Sequence, residues 1–313
     1  MKEKEQNYSP PFWMLGTHIE TVYPALFRKV SFKDPKTERI DTSDNDFLDA
    51  DFYYQNSKAL VIISHGLEGN SRRPYVKGMA KAFFKKGLDV CCWNYRGCSG
   101  EMNKTLLFYH SGATYDLQTI IDYVVAKNIY DTLYLIGFSL GGNLTLKYLG
   151  EGRKLPIQLK RAVVISVPVD LAGSSEVISQ IHNKIYEWKF LNTLKKKILE
   201  KSQSLPMETW KLKDVITLRD FDNAYTAPIH GFLDANDYYK KSSSRFLLKN
   251  IDTPVLIINA KNDTFLSSEC FPENNTYSDK VNWCVTERGG HVGFTGQSDY
   301  FSEEKALEFI LYS

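Results

Sequence analysis

The chain has 313 residues, 43% of them hydrophobic, and a formal net charge of +2. This near-neutral balance gives no reason to expect a nucleic-acid partner, and the hydrophobic share is enough for a sizeable core. No apolar run approaches the roughly 20 residues that cross a bilayer. The first nine residues are polar and include acids, unlike a signal peptide. We therefore expect a soluble, cytoplasmic protein.

Apolar strand-like runs alternate with helical patterns along the chain. Strand patterns lie at residues 59–63, 88–94, 133–138, 161–170, 253–259 and 281–286. Helical patterns lie between them at residues 79–84, 117–124 and 143–149. This alternation predicts a single α/β domain over residues 1–313, with a mostly parallel, doubly wound sheet.

The region at about residues 173–249 interrupts this alternation and contains no convincing strand. Apolar residues recur there at helical spacing, with lysines on the other faces: Ile181, Ile185, Trp188, Leu191, Leu194 and Ile198 against Lys184, Lys189, Lys195, Lys196 and Lys197. The favoured interpretation is an amphipathic helix packed on the main domain with a solvated basic face. The alternative is a cap that makes transient contact with an anionic membrane or lipid surface.

We predict that this region is a helical cap insertion. Pocket volume would then depend on how the cap residues Trp188, Trp210, Phe232 and Tyr238 fold over the site.

The five cysteines show no metal-ligand spacing, so we predict neither a metal site nor a cofactor. Cys91 and Cys92 are adjacent in a strand pattern, so their side chains point to opposite faces and fill the core. Cys98 lies close to them in the sequence. The pattern is typical of reduced thiols in a cytosol.

The strand pattern at residues 133–138 ends in Gly-Phe-Ser-Leu-Gly, and a helical pattern follows. Strand, tight turn and helix are the context of a nucleophile elbow, with Ser139 at its centre. Gly137 and Gly141 lack Cβ atoms, which lets neighbouring elements approach closely around an exposed hydroxyl. We predict that Ser139 is a nucleophile.

A serine hydroxyl needs a base, and the base needs an orienting acid. Three histidines follow Ser139 in the sequence: His182, His230 and His291. His291 lies in a glycine-flanked loop after the last strand pattern, where the base belongs in this chain order. His182 and His230 lie in polar stretches and are weaker candidates.

Two aspartates follow strand patterns and are candidates for the acid. Asp263 lies in a polar loop after residues 253–259, at the carboxyl end of a strand, where α/β sheets assemble their sites. Asp170 ends the earlier strand pattern at residues 161–170. It is the alternative acid, because the spacing does not decide between the two aspartates. An aspartate in either place could also simply cap the next helix. We favour Asp263.

The strand pattern at residues 59–63 runs into a loop that begins Ser-His-Gly-Leu-Glu-Gly. A His-Gly turn there presents backbone N–H groups toward the elbow. We predict that the N–H groups of Leu67 and Leu140 form an oxyanion hole, each worth about 3 kcal/mol in the transition state. The side chains of His65 and Glu68 are expected to shape the loop and not to transfer protons.

Several motifs occur in one order along almost the whole chain. They are Pro-Phe-Trp at 11–13 with His18 and Thr21, His-Gly-Leu-Glu-Gly at 65–69, Asn-Tyr-Arg-Gly-Cys-Ser-Gly at 94–100, Tyr-His-Ser-Gly at 109–112, Gly-Phe-Ser-Leu-Gly-Gly at 137–142, Phe-Asp-Asn-Ala-Tyr-Thr-Ala-Pro at 221–228 with Gly231 and Phe232, and Gly-Gly-His-Val-Gly-Phe at 289–294. Together they resemble the YheT-like hydrolases, an esterase-like branch of the α/β-hydrolase superfamily.

The resemblance implies an α/β-hydrolase fold and assigns the roles of nucleophile, acid and base to Ser139, Asp263 and His291. It thereby favours Asp263 over Asp170. Asn45 and Asn70 stand where the family pattern has a small residue, and Glu20 replaces an amide. These departures concern details of the pocket.

We therefore predict a serine hydrolase that cleaves small-molecule carboxylic esters, lipid-like in one interpretation, through an acyl-enzyme. The same three residues could instead cleave a thioester or an amide, or transfer the acyl group to an alcohol. A non-catalytic ligand-binding protein on a hydrolase scaffold is the remaining alternative. A dehalogenase usually needs a carboxylate where Ser139 stands.

Overall fold

The structure is a computed structural model that describes residues 8–273, 276–297 and 299–312. The amino-terminal segment that argues against a signal peptide lies mostly outside these ranges. Within them, one sheet has eight strands in the order β1-β2-β4-β3-β5-β6-β7-β8. The strands are β1 (Lys36–Asp41), β2 (Phe47–Tyr53), β3 (Ala59–Ser64), β4 (Asp89–Trp93), β5 (Thr132–Phe138), β6 (Leu159–Ile165), β7 (Val255–Ala260) and β8 (Val281–Thr286).

The strand directions confirm the predicted mostly parallel sheet. Each neighbouring pair from β4 to β8 is parallel, and only the pairs that involve β2 are antiparallel. The hairpin of β1 and β2 is absent from the sequence prediction, because its residues break the apolar pattern. β1 buries only Ile40, and β2 carries Asp49 and Asp51 in buried positions.

Helices lie between the strands in chain order. They are α1 (Thr17–Phe27), α2 (Pro74–Lys85), α3 (Thr114–Ala126), α4 (Leu140–Gly150), α5 (Leu171–Ile178), α6 (Lys184–Lys201), α7 (Leu218–Phe221), α8 (Ala227–Ile229), α9 (Ala235–Ser242) and α10 (Phe301–Tyr312). A π-helical turn joins α7 to α8 (Asp222–Thr226), and short 3₁₀ helices occur at Ile181–Asn183, Thr209–Asp214, Arg245–Asn250 and Ser268–Cys270.

Helices cover both faces of the sheet, which confirms the doubly wound arrangement. The apolar residues of α3 and α4 belong to the core on one face, and those of α2 and α10 belong to the core on the other. Cys91 lies in the first core and Cys92 in the second, as the strand geometry predicts. All five cysteines are free and buried.

The segment between β6 and β7 is helical. Its helices bury apolar side chains in two small clusters of their own, one around Leu191, Ile198 and Phe221 and the other around Tyr238 and Tyr239. The segment lies over the carboxyl ends of the strands, because its side chains line the same cavity as Ser139.

The expectation that one apolar stripe of this segment packs on the protein is wrong in part. Leu191, Leu194 and Ile198 are at least partly buried, but Ile185 and Trp188 are 78% and 66% exposed. At about 100° per residue, the apolar positions of α6 spread over roughly half of the helix circumference, and only half of that arc faces the interior.

The basic face of α6 also differs from the expectation. Lys197 is not solvated, since its Nζ lies 2.8 Å from Glu68 Oε1 and 3.1 Å from Cys98 Sγ. Lys195 donates to the carbonyl of Val215. In the described parts of the chain, no helix combines the length and the apolar character needed to cross a membrane.

Candidate active site

Ser139 stands at the turn between β5 and α4. Its φ of 53° and ψ of −119° lie in a sparsely populated backbone region that costs about 1–3 kcal/mol and occurs mostly at functional sites. The turn needs small neighbours. A Cβ on Gly137 would lie 2.4 Å from the carbonyl oxygen of Gly141, and a Cβ on Gly141 would lie 2.5 Å from that of His65. The local geometry is that of the predicted elbow.

The structure brings Ser139, His291 and Asp263 into contact. Ser139 lies 152 positions before His291 in the sequence, and Asp263 lies 28 positions before it. His291 Nε2 lies 3.0 Å from Ser139 Oγ, and His291 Nδ1 lies 2.8 Å from Asp263 Oδ2. The Asp263 side chain is fully buried, and its Oδ1 accepts from the N–H of Phe265 at 2.9 Å. This order of groups lets a carboxylate orient an imidazole whose other nitrogen faces a hydroxyl.

The rival acid lies elsewhere. Asp170 is the N-cap of α5, where its carboxylate accepts from the N–H of Gly173 at 3.1 Å. That is a structural role common for an aspartate after a strand.

The other two histidines are also separate from Ser139. His182 is exposed and packs near His18, with ring centroids 6.3 Å apart. His230 faces His110, with ring centroids 4.4 Å apart, on the wall of the cavity under the helical segment.

The two predicted oxyanion donors lie beside Ser139. Leu67 and Leu140 line the same cavity as Ser139 and His291. A Cβ on Gly66 would lie 3.2 Å from Ser139 Cβ, so the backbone just before Leu67 passes directly over the serine. Within the described residues, neither the Leu67 nor the Leu140 N–H has a hydrogen-bond partner. Both groups are therefore free to bind an oxygen atom at this position.

His65 holds the loop that carries Leu67. It is fully buried, and burial lowers its pKa to about 3, so the ring is neutral. Its Nδ1 lies 2.8 Å from the carbonyl oxygen of Gly66, and its Nε2 lies 3.3 Å from the N–H of Tyr95. Because the Tyr95 N–H can only donate, His65 Nε2 accepts and Nδ1 carries the proton. Both ring nitrogens are engaged by backbone.

Glu68 has a similar structural position in the same loop. Its Oε1 accepts from Tyr109 Oη at 2.6 Å and from Lys197 Nζ at 2.8 Å. Lys197 belongs to α6, so this ion pair ties the helical segment to the loop after β3.

Glu20 hydrogen-bonds to the loops that carry Asp263 and His291, a position that the sequence pattern does not indicate. It lies in α1 and is 1% exposed. Its carboxylate accepts from Asn262 Nδ2 at 2.9 Å, from the N–H of Gly289 at 2.8 Å and from Arg288 Nε at 2.8 Å. Asn262 precedes Asp263, and Gly289 lies two residues before His291.

Two hydroxyl groups accept hydrogen bonds from the backbone at His291 and Val292. The N–H of His291 donates to Thr21 Oγ1 at 2.9 Å, and the N–H of Val292 donates to Ser166 Oγ at 2.8 Å. In the sequence, only the motif group that begins with Pro-Phe-Trp at 11–13 points to Thr21. No sequence pattern points to Ser166.

A largely apolar cavity of about 160 Å³ extends from Ser139 under the helical segment. Its apolar walls include Leu171, Phe190, Leu194 and Phe221. Part of the wall is polar and includes His110, Asp222 and His230.

Burial shifts the pKa values of the titratable groups in the polar wall. Burial raises the pKa of Asp222 to about 6 and lowers that of His230 to about 4. The pKa of His110 is also lowered, because it is buried beside His230. Near pH 7 the two histidines of this wall are therefore neutral, whereas Asp222, whose pKa of about 6 lies below pH 7, is largely ionised.

A second cavity, of about 230 Å³, lies on the other side of Ser139 and His291. α1 and α6 form two of its walls, through residues such as Leu26, Tyr186 and Lys189. Ser139 and His291 thus lie where two cavities meet, an arrangement that can hold a molecule with one group in each cavity.

The expected cap residues differ in their contribution to these walls. Tyr238 lines the first cavity, and Phe232 packs on it with ring centroids 5.3 Å apart. Trp188 and Trp210 are 66% and 61% exposed and line neither cavity, so the expectation for them is wrong. Among the residues that the structure describes, no group of three or more His, Cys, Asp or Glu side chains could hold a metal ion.

A family model described as alpha/beta hydrolase fold matches residues 59–295. The chain is also 35% identical over 288 residues to the "Putative esterase YheT" of Escherichia coli (strain K12), which covers 89% of this chain and 84% of that protein. The chain belongs to the YheT-like branch of the α/β-hydrolase superfamily. This confirms the predicted family.

Two more distant relatives are a lipase and a phospholipase by name. The chain is 28% identical over 281 residues to the monoacylglycerol lipase of Saccharomyces cerevisiae (strain ATCC 204508 / S288c), covering 86% of this chain and 59% of that protein. It is 28% identical over 308 residues to the human phospholipase ABHD3, covering 92% and 74%. The protein is therefore an α/β hydrolase with esterase- and lipase-like relatives.

Solved structures agree on the fold. The esterase Pf2001 of Pyrococcus furiosus superposes with a TM-score of 0.61 at 17% identity, covering 98% of each chain. Est1E of Butyrivibrio proteoclasticus with bound ferulic acid superposes with a TM-score of 0.54 at 16% identity, covering 88% of this chain and 98% of that one. The predicted α/β-hydrolase fold is confirmed.

Proposed function

We propose that this hydrolase cleaves carboxylic esters, with Ser139 as nucleophile, His291 as general base and Asp263 as the orienting acid. The observation that carries the proposal is the continuous contact from Ser139 Oγ to His291 Nε2 at 3.0 Å and from His291 Nδ1 to Asp263 Oδ2 at 2.8 Å. The strained backbone of Ser139 supports it, because such strain is kept where the chemistry needs an exposed hydroxyl.

The first half of the reaction forms an acyl-enzyme. Ser139 Oγ attacks the ester carbonyl carbon while His291 Nε2 takes the hydroxyl proton, and the carbonyl oxygen becomes an oxyanion. The N–H groups of Leu67 and Leu140 bind that oxyanion, each worth about 3 kcal/mol in the transition state. The carbon–oxygen bond to the alcohol then breaks, and His291 gives its proton to the departing alcohol.

The second half releases the acid. Water attacks the acyl carbon and gives a proton to His291, and the bond to Ser139 Oγ breaks as His291 returns the proton to it. Throughout both halves, Asp263 keeps the proton on His291 Nδ1 and stabilises the imidazolium.

We propose a lipid-like ester as substrate, with its acyl chain in the first cavity and its alcohol part in the second. The apolar walls around Phe190, Leu194 and Phe221 suit a hydrocarbon chain. The names of the yeast and human relatives, a lipase and a phospholipase, point in the same direction.

Acyl transfer to an alcohol and thioester cleavage use the same groups and remain secondary proposals. A ligand-binding protein without activity is disfavoured by the hydrogen-bonded order of Ser139, His291 and Asp263.

We propose a cytoplasmic location as well. All five cysteines are free thiols in the interior, which suits a reducing compartment.

The test is hydrolysis of p-nitrophenyl esters of graded chain length by the wild type and by Ser139→Ala. The wild type should release p-nitrophenol, with an optimum among chains that the first cavity can hold. Ser139→Ala should lose at least about 1,000-fold in kcat while its circular dichroism spectrum and thermal midpoint stay unchanged. Retained activity in a folded Ser139→Ala protein would refute the proposed nucleophile.

A further inference from the structure

Two helices expose large apolar side chains on their outer faces. On and just before α1, Leu15, Ile19 and Leu26 are 72%, 43% and 64% exposed. At the start of the helical segment, Ile181, Ile185 and Trp188 are 90%, 78% and 66% exposed. Single exposed apolar residues are ordinary, but a contiguous group of them marks an interaction surface.

These two sets adjoin each other. His18 Nδ1 of α1 lies 3.0 Å from Tyr186 Oη of α6, and their rings stack with centroids 5.7 Å apart. The second cavity opens between the same two helices, since Val22 and Leu26 line it from one side and Tyr186 lines it from the other. We call this combined area the α1–α6 surface, formed by Leu15, Ile19, Leu26, Ile181, Ile185 and Trp188.

The charge on this surface is mainly positive. Residues 17–27 and 181–199 contain two acids, Glu20 and Glu187, and both are 1% exposed. Lys184, Lys189 and Lys196 are exposed on the same segments. The α1–α6 surface therefore combines apolar side chains with accessible ammonium groups, while Lys184 pairs with Glu187 and Glu200 is exposed near the end of α6.

We propose that the α1–α6 surface docks on an anionic lipid surface, which would bring the mouth of the second cavity to the lipid. Apolar side chains that enter the headgroup region beside lysines are the usual means by which a protein binds such a surface. The proposal goes beyond the proposed function, because docking does not depend on which residue carries out the chemistry.

A second copy of the chain fits this surface poorly. A symmetric dimer would place the same patch against itself, so Lys184, Lys189 and Lys196 would face lysines, with Glu200 the one exposed carboxylate on α1 and α6. A lipid leaflet with anionic headgroups offers both the missing negative charge and an apolar layer.

The test uses the full chain with Ser139→Ala as background, so that lipid hydrolysis cannot disturb the measurement. Binding is measured by co-sedimentation with vesicles of phosphatidylcholine, alone or mixed with phosphatidylglycerol. The protein should bind the mixed vesicles, and binding should weaken at least about tenfold on pure phosphatidylcholine or at high salt, where lysine attraction is screened.

The decisive variant is Ile185→Ser with Trp188→Ser. It should bind mixed vesicles at least about tenfold more weakly, because it removes two of the side chains that enter the lipid. The matched control is Ile157→Ser with Phe246→Ser, whose side chains are 84% and 63% exposed and line neither cavity at Ser139. The control should bind as the parent does.

Three outcomes of the binding assay would overturn the proposal: no binding of the parent to mixed vesicles, equal binding by variant and control, or equally strong binding to pure phosphatidylcholine. A size change from dimer to monomer in the Ile185→Ser and Trp188→Ser variant would also overturn it, in favour of a contact between copies. With Ser139 restored, both pairs of substitutions should hydrolyse a water-soluble ester at the parent rate, so failure of docking and failure of the proposed chemistry are separate results.

Discussion

Replacement of Glu20 by alanine tests whether α1 holds the catalytic loops in place. The substitution removes the acceptor of two donors in the loops, Asn262 Nδ2 and the N–H of Gly289, and of the Arg288 side chain. A buried donor left without an acceptor costs about 1–3 kcal/mol. The two loop donors together therefore cost about 2–6 kcal/mol. The Arg288 side chain is 38% exposed, so solvent replaces most of its lost interaction.

Glu20→Gln should be milder, because its amide oxygen can still accept from Asn262 and Gly289. Its amide nitrogen would face Arg288, but because that side chain is 38% exposed, solvent replaces most of the lost interaction. The ranking of alanine and glutamine thus separates the hydrogen bonds to the loops from the ion pair.

The assays are urea unfolding and hydrolysis of a p-nitrophenyl ester. Glu20→Ala should lose about 4 kcal/mol of unfolding free energy, and its kcat should fall by about 10- to 100-fold with a smaller change in KM, since Asp263 and His291 are no longer held in register. The control is Glu287→Gln, whose carboxylate is 71% exposed in its ion pair with Lys261 and should matter by less than about 0.5 kcal/mol. Equal stability and kcat for Glu20→Ala and Glu287→Gln would refute the reasoning.

Three other predictions concern the acid, the cavity and the response to pH. Asp263→Asn should lower kcat by at least about 100-fold and Asp170→Asn by less than threefold in the same ester assay. A larger loss for Asp170→Asn would assign the role of the acid to Asp170. Leu194→Trp should fill part of the first cavity and shift the preferred p-nitrophenyl ester to a shorter acyl chain; an unchanged chain-length profile would exclude this cavity as the acyl site. The pKa of His230 is lowered by burial to about 4, below the ordinary 6.5, so the unfolded chain binds a proton first as pH falls. The stability from this group is complete above about pH 6.5 and is lost progressively toward pH 4, by up to about 1.4 kcal/mol per pH unit. His230→Gln should reduce that slope in urea unfolding curves, and an unchanged slope would contradict the neutral, buried state.

The strands of the parallel sheet were predictable because each is buried on both faces and reads as a short apolar run. β1 and β2 were not, because β1 is an edge strand with one buried residue and β2 carries buried aspartates whose partners lie outside β2 itself. Asp49, for example, binds Arg39 Nε at 2.8 Å. Only the fold supplies that partner.

The chain order and the loops after strands were enough to nominate Ser139, Asp263 and His291 from the sequence. The residues that hold their loops in place could not be predicted, because Glu20 and Thr21 hydrogen-bond to residues more than 240 positions away in the sequence. No local pattern reports such a contact. Asp170 illustrates the converse, since its position after a strand reflects only a helix cap.

The apolar pattern of α6 predicted a helix correctly but not its exposed side. Helical periodicity identifies which residues share a face, and it cannot tell whether a wide apolar arc is covered by protein. Leu191 and Ile198 are covered, whereas Ile185 and Trp188 are exposed.

Labelling with a fluorophosphonate probe tests the central claim most directly, because the probe forms a covalent bond only with a serine hydroxyl activated by its neighbours. Intact-mass and peptide analysis of the wild type should find one adduct, on Ser139, and none on Ser139→Ala. Labelling of His291→Ala should be slowed by at least about 100-fold, because the base is lost. An unlabelled wild type, or an adduct on a different residue, would contradict the account.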